Sequence, residues 1–261
     1  MRNNPARGAK DHRRFDAVIF DLGSTLLYFE GEWPQVMSKA NDELFQSLQD
    51  AGLQLDRQQF LEEFQKRLHL YYVEREAEFI EYTTAYVLKS LLEEMGEKDI
   101  DEAILRPALN AMYSVSGEHW QVEADALPTL SILKNRGYNL GLISNAGDDE
   151  DVQSLVDKAG IRHFFEVVVT SAALGIRKPN PLIFHKVLDR LKIEPARAVM
   201  VGDRLGADIL GARNAGIYSI LITRRADTVA NRAHADTIIP DATIRTLSEL
   251  PAILEGEEPP A

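Results

Sequence analysis

The chain contains no cysteine, which removes disulfide frameworks, thiolate zinc sites and thiol nucleophiles at once. It also lacks any apolar run near the ~20 residues of a membrane-spanning helix, so a membrane is not an expected partner. Positive charge is scarce: 29 Lys and Arg stand against 41 Asp and Glu in 261 residues, a formal net charge of −12. Nucleic acid and anionic lipid surfaces need a net basic face, so neither is expected to bind here. A small anion is different, because it responds to the local field of a pocket and not to the total. The basic start, MRNNPARGAKDHRRF, has no apolar stretch of the kind that makes a secretory signal and reads as a tail over 1–14. The acidic residues 256–261 read as a second tail. A cytoplasmic setting fits all of this.

What is present is enough apolar residue, 45%, to bury a substantial core. Short apolar runs end repeatedly in polar residues. AVIF ends at Asp21, NLGLIS at Ser144 and Asn145, FFEVVVTS near Ser171, AVMVGD at Asp203 and YSILIT at Thr223; TII at 237–239 is a last candidate. Such runs read as buried strands opening into loops. Between them lie helical patterns at 129–136, 149–159, 181–191 and 206–215, the third with Asn180 as cap and Pro181 in its first turn. Strands alternating with helices predict an α/β fold: a doubly wound, mostly parallel sheet with helices on both faces. Its core spans 15–30 and 125–255. Residues 31–124 do not alternate; apolar positions such as Val36, Ala40, Leu44 and Leu48 recur at helical spacing, which predicts an inserted all-helical segment over the strand ends. An insertion there reads as a lid.

In open sheets of this kind ligands bind beyond the carboxyl ends of the strands. Asp21, Ser144, Asn145 and Asp203 all lie at such ends. Two aspartates from separate strands can hold Mg²⁺, which takes one or two carboxylates together with waters and phosphate oxygens. Ser144 can donate to a phosphoryl oxygen, and Lys178 precedes a helix start, where its charge and the helix dipole act together. A carboxylate, a divalent ion, a hydroxyl and a lysine around one cavity suit phosphoryl transfer.

Taken together, FDLGSTL, LISN, GIRKPNP and VGDRLGADILGARNAG resemble the four motifs of the haloacid dehalogenase superfamily, in the expected order. The helical insertion after the first motif is similar to that family's first cap type. The resemblance implies a Rossmann-like core and a Mg²⁺-dependent phosphatase acting on a small phosphorylated metabolite. It makes Asp21 the nucleophile, with Ser144, Asn145 and Lys178 holding phosphate. It gives the metal to Asp21, Asp203, Asp208 and the backbone carbonyl of Gly23.

Gly23 departs from the pattern, since phosphatases of this family usually carry a second aspartate there as general acid and base. That function is worth ~10²–10⁴-fold. Glu30 or Glu32 is a candidate substitute. The alternatives to a phosphatase are a phospho-ligand binder with little turnover and a metal-independent dehalogenase. For specificity the residues proposed are Tyr71, Tyr72, Arg75 and Tyr82, while Trp33 and Pro34 read as structural and Arg177 and Arg204 as salt-bridge partners. No histidine shows metal-ligand spacing.

Overall fold

The computed structural model describes residues 13–98 and 100–256, with residues 74–78 described by their backbone only. Among the described residues, eight strands run in chain order as β1 (Ala17–Phe20), β2 (Leu27–Phe29), β3 (Trp120–Val122), β4 (Asn139–Ser144), β5 (Val167–Thr170), β6 (Ala198–Gly202), β7 (Tyr218–Ile222) and β8 (Ala242–Ile244). Helices α1 (Trp33–Asp50), α2 (Arg57–Glu78), α3 (Thr84–Glu94) and α4 (Glu102–Gly117) lie between β2 and β3. After β3 come α5 (Ala126–Asn135), α6 (Asp149–Lys158), α7 (Ser171–Leu174), α8 (Pro181–Leu191), α9 (Leu210–Asn214), α10 (Val229–Arg232) and α11 (Leu250–Leu254).

Six strands form one parallel sheet in the order β5-β4-β1-β6-β7-β8. Strand side chains alternate between its faces. Val18, Phe20, Leu140, Leu142, Val199 and Val201 pack under α5, α6 and α11, while Ala17, Ile19, Ile143, Ala198 and Met200 face α8. Each large apolar side chain fully buried there is worth ~1.5–3 kcal/mol. The sheet is built outward from β1, first to β4 and β5 on one side, then back across to β6, β7 and β8. Strand order therefore reverses beside β1, and Phe20 is in register with both Leu142 and Val201. The residues that follow these three strands open into one crevice.

The four helices between β2 and β3 have their own hydrophobic cluster, with Leu44, Leu48, Phe60, Phe64, Leu88, Leu92, Leu109 and Met112 inside it. Asp101 caps α4: its carboxylate accepts from Ala103 N–H at 2.9 Å.

Three expectations are corrected. The inserted segment is not wholly helical, because Trp120–Val122 pairs antiparallel with Leu27–Phe29. A three-residue ribbon of half-buried aromatics has too little periodicity to be read from sequence. The last strand is Ala242–Ile244 and not 237–239. Pro240 intervenes, Ile238 instead packs on Leu205 and Ile209, and Asp241 holds Ser219 through its N–H and hydroxyl. The N-terminal tail is shorter than drawn: Arg13 donates to the carbonyls of Arg136 at 2.7 Å and Gly137 at 3.0 Å, and Arg14 lies over the Tyr218 ring. The rest of both tails, 1–12 and 257–261, lies outside the described residues.

Candidate active site

Asp21 is the first residue after β1 and Asp203 the first after β6. Asp208 reaches them from the turn beyond β6. The helix expected over 206–215 starts there as a π turn, Leu205–Ile209, in which Ile209 N–H reaches back to the Arg204 carbonyl. The wider turn folds the Asp208 carboxylate under the end of β6, against Gly202. A Cβ at Gly202 would lie 2.3 Å from Asp208 Cγ, so only glycine fits. The carboxylates of Asp21, Asp203 and Asp208 each offer an oxygen within 4.8 Å of the others, all three residues being buried.

Lys178 stands among them. Its ammonium donates to Asp21 Oδ1 at 2.5 Å, Asp208 Oδ1 at 2.7 Å and the Ile143 carbonyl at 3.0 Å. The backbone of Lys178 is clamped by Asn145, whose Nδ2 donates to the Lys178 carbonyl at 2.9 Å and whose Oδ1 accepts from Lys178 N–H at 2.8 Å. Asn145, expected at a phosphate, thus has its amide engaged in placing the lysine. Ser144 lines the same cavity, and among the described residues its hydroxyl has no hydrogen-bond partner.

Three carboxylates and one ammonium are a charge imbalance in a buried place. Burial, together with Asp208, pushes Asp21 up to about 6 against the pull of Lys178. Burial and the Asp21 and Asp208 carboxylates push Asp203 up to about 8. Burial opposes charge on Lys178, but Asp208 and Asp21 outweigh it, so the ammonium is held above its ordinary range. Fully ionised, the group carries two negative charges in excess, and among the described residues nothing donates to the Asp203 carboxylate. The donor set fits a hard divalent cation. Asp208 has both oxygens taken, by Lys178 and by Arg204 N–H at 2.9 Å, which suits it to steadying the set more than to direct ligation.

The loop after Asp21 is tightly wound. Leu26 and Leu27 both donate to the Leu22 carbonyl, and Ser24 has φ 61°, a costly left-handed conformation for a residue with a side chain. Above Gly23 lies the indole of Trp120: a Cβ on Gly23 would stand 3.3 Å from Trp120 Cη2. Neither candidate substitute acid is near. Glu30 and Glu32 are exposed and do not line the cavity, because the β2–β3 ribbon carries them outward; Glu30 pairs through its backbone with His119.

The helices close over this crevice and leave a cavity of about 550 Å³. Ile80 bridges Ile176, Glu81 N–H donates to the Gly175 carbonyl at 3.1 Å, and Thr84 N–H to the Gly147 carbonyl at 2.8 Å. Glu81 is buried at the seam, accepting from Ser171 Oγ at 2.7 Å and from Tyr71, with Arg177 at 3.7 Å. Of the four residues proposed for specificity, Tyr72 lines the cavity, Tyr71 is turned to Glu81, Tyr82 faces another groove, and the Arg75 side chain lies outside the described residues. Trp33, read as structural, lines the cavity. Sequence reasoning missed Trp120, Tyr113, Glu81 and Asp151; in the structure Asp148 caps α6 and Asp149, Glu150 and Asp151 form its first turn.

A model of the haloacid dehalogenase-like hydrolase family matches residues 15–216. The chain belongs to this family. Glyceraldehyde 3-phosphate phosphatase of Methanothermobacter thermautotrophicus is 44% identical over 127 residues, a match spanning 48% of this chain and 55% of the relative. The protein of that name from Methanopyrus kandleri is 30% identical over 236 residues, covering 90% of this chain and 94% of the other. Among solved structures, a phosphatase of the family from Thermococcus onnurineus superposes with TM-score 0.61 at 28% identity, over 93% of this chain and 99% of that one. A 2-haloacid dehalogenase from Pseudomonas syringae does so with TM-score 0.64 at 26% identity, again over 93% and 99%. Two chemistries thus share this scaffold, and the site has to distinguish them.

Proposed function

We propose that this family member is a Mg²⁺-dependent phosphatase of a small phosphorylated metabolite, working through an aspartyl-phosphate on Asp21. The observation that carries the reading is the buried cluster of Asp21, Asp203 and Asp208 about Lys178, with its excess of negative charge. A dehalogenase would attack carbon with the same aspartate and need no divalent ion, so a carboxylate cluster with excess negative charge favours the phosphatase. The names of the two archaeal relatives support a phosphorylated triose, and glyceraldehyde 3-phosphate is the first substrate to try. The reading retains a cytoplasmic setting; among the described residues no helix is long and apolar enough to cross a membrane.

In this reading the Lys178 hydrogen bond orients the Asp21 carboxylate for attack on phosphorus, and the Ser144 hydroxyl donates to a phosphoryl oxygen. Asp21, Asp203 and the Gly23 carbonyl would hold the ion, with Asp208 steadying them. Neutralising the phosphoryl oxygens beside Asp21 is the chemistry that Mg²⁺ supplies when bound there. The helical segment serves as the cap, excluding water and meeting the remainder of the substrate.

The test is phosphate release from glyceraldehyde 3-phosphate and p-nitrophenyl phosphate with MgCl₂ or EDTA. Mg²⁺-dependent release is expected, reduced by at least about 10³-fold in Asp21→Asn. Release no greater than that of the variant overturns the reading. In that event a phospho-ligand binder is the reading to take up, favoured by the indole that stands over Gly23 in place of an acid.

A further inference from the structure

The cavity extends beyond the phosphate end, and there its walls change character. The helices and ribbon above contribute Trp33, Met37, Leu68, Met112, Tyr113 and Trp120, and among the described residues that wall carries no charge. Among the described residues one carboxyl outside the strand-end cluster faces it from below. Asp151, in the first turn of α6, lines the cavity and is partly buried.

Among the described residues it has no ion-pair partner, and only the field of Arg106 offsets its charge. The neighbouring cation, Arg106, is committed to Asp148 at 2.9 Å and to Glu150 at 3.5 Å, and among the described residues no donor bonds the Asp151 carboxyl. Lys178 is saturated by Asp21, Asp208 and a carbonyl, and Arg177 faces Glu81. Arg204, exposed, stands beside Asp203 at the strand ends. Across from Asp151, Tyr113 donates its hydroxyl to Thr84 Oγ1 at 2.8 Å. Burial raises Tyr113 well above the ordinary tyrosine range, with the Asp148 and Asp151 carboxylates adding to the effect, which places the hydroxyl within their field.

We infer that Asp151 is a specificity-determining residue: it accepts a hydroxyl of an uncharged leaving group and rejects leaving groups that bear a carboxylate or a second phosphate. The inference rests on the phosphatase reading and refines it. Rejection by an unpaired like charge in a partly dry cavity needs no contact built against the wrong substrate. The burial of Asp151 and its neighbour Asp148 push it up to about 7 against the pull of Arg106, so assays at pH 8 keep it ionised.

The experiment compares glyceraldehyde 3-phosphate with 3-phosphoglycerate, which share a carbon skeleton and differ as aldehyde against carboxylate. At pH 8 the wild type should favour the aldehyde by about tenfold or more in kcat/KM, the scale of two like charges ~12 Å apart at an effective dielectric of ~20. Asp151→Asn should narrow that ratio several-fold by raising the rate on 3-phosphoglycerate, and Asp151→Glu should keep it. Equal wild-type rates, or an unchanged ratio in Asp151→Asn, overturn the inference. Should neither ester be turned over above Asp21→Asn, the phosphatase reading has failed and binding decides. Stabilisation against melting by the aldehyde ester alone supports the assignment of Asp151, while stabilisation by both or by neither overturns it.

Discussion

The two ends of the cavity are built on opposite plans. At the strand ends, Lys178, Asp21 and Asp208 are tied together by short bonds, and the charges sit where strand register puts them. Under the helices, neutral side chains from α1, α2, α4 and the ribbon meet Asp151, a carboxyl that among the described residues has no hydrogen-bonding or ion-pair partner. Charge stabilisation requires donors and carboxylates fixed before the substrate arrives. Selection among leaving groups requires only shape and a sign. The first plan tolerates almost no substitution, whereas the second can be altered one side chain at a time.

The largest expected effect comes from breaking the first plan. Lys178→Met would leave Asp21 and Asp208 buried without their cation. Removing one partner of a buried ion pair costs about 3–5 kcal/mol, and phosphate release should fall by about 10³-fold or more, because the nucleophile loses its orienting bond. Urea melts and p-nitrophenyl phosphate turnover check both. Near wild-type stability would mean that the two carboxylates are solvated, and the contrast between the ends would dissolve. No single neutral side chain of the helical wall, Tyr113→Phe for example, should approach that loss of turnover.

A smaller effect is expected where the two ends touch, at Gly23 beneath Trp120. Gly23→Asp places a carboxyl where the family's phosphatases usually carry their acid, but its Cβ meets the indole at 3.3 Å. Alone it should gain little and cost about 1–3 kcal/mol in overpacking. Combined with Trp120→Phe, it should raise turnover of glycerol 3-phosphate by about 10–10²-fold, part of what general acid catalysis supplies. p-Nitrophenyl phosphate, whose leaving group needs no proton, should not respond. Equal gains on both esters would show that the new carboxyl acts on something other than the leaving oxygen.

This division also explains what could be read from the sequence. Asp21, Ser144 and Asp203 end short apolar runs, so a parallel sheet brings them together whatever the rest of the chain does, and Lys178 precedes a recognisable helix start. The residues of the helical wall carry no such signal. Met37 and Met112 face the cavity, and Met112 also packs in the helical core, so heptad-like spacing cannot tell lining from packing. Tyr71 and Tyr82, chosen for their chemistry, were turned away by the burial of Glu81 at the seam and by the packing of α2 on α3. Trp120 was illegible because its partner in the ribbon lies some ninety residues away. Glu30 and Glu32 failed for the same reason: proximity to Gly23 in sequence says nothing once the chain turns into a strand.

The smallest effect, and the one that isolates the second plan, is the dependence of stability on pH in Asp151→Asn. In the folded chain Asp151 is raised from 3.8 to about 7 by its burial and by Asp148. Between roughly pH 4 and pH 7 the folded state therefore keeps a proton that the unfolded state has released, and stability falls as pH rises across that window, then levels off. Asparagine has no proton to keep. The variant should match the wild type near pH 4, where the folded Asp151 carboxyl is itself neutral. At pH 8 it should be the more stable protein. The full shift at ~1.4 kcal/mol per unit is an upper bound, and contact with cavity water reduces the gain to about 1–2 kcal/mol. Urea melts of both proteins at pH 4.5 and pH 8 give the comparison. A difference that stays constant with pH would mean that Asp151 is as well solvated folded as unfolded, and a carboxylate of that kind repels nothing.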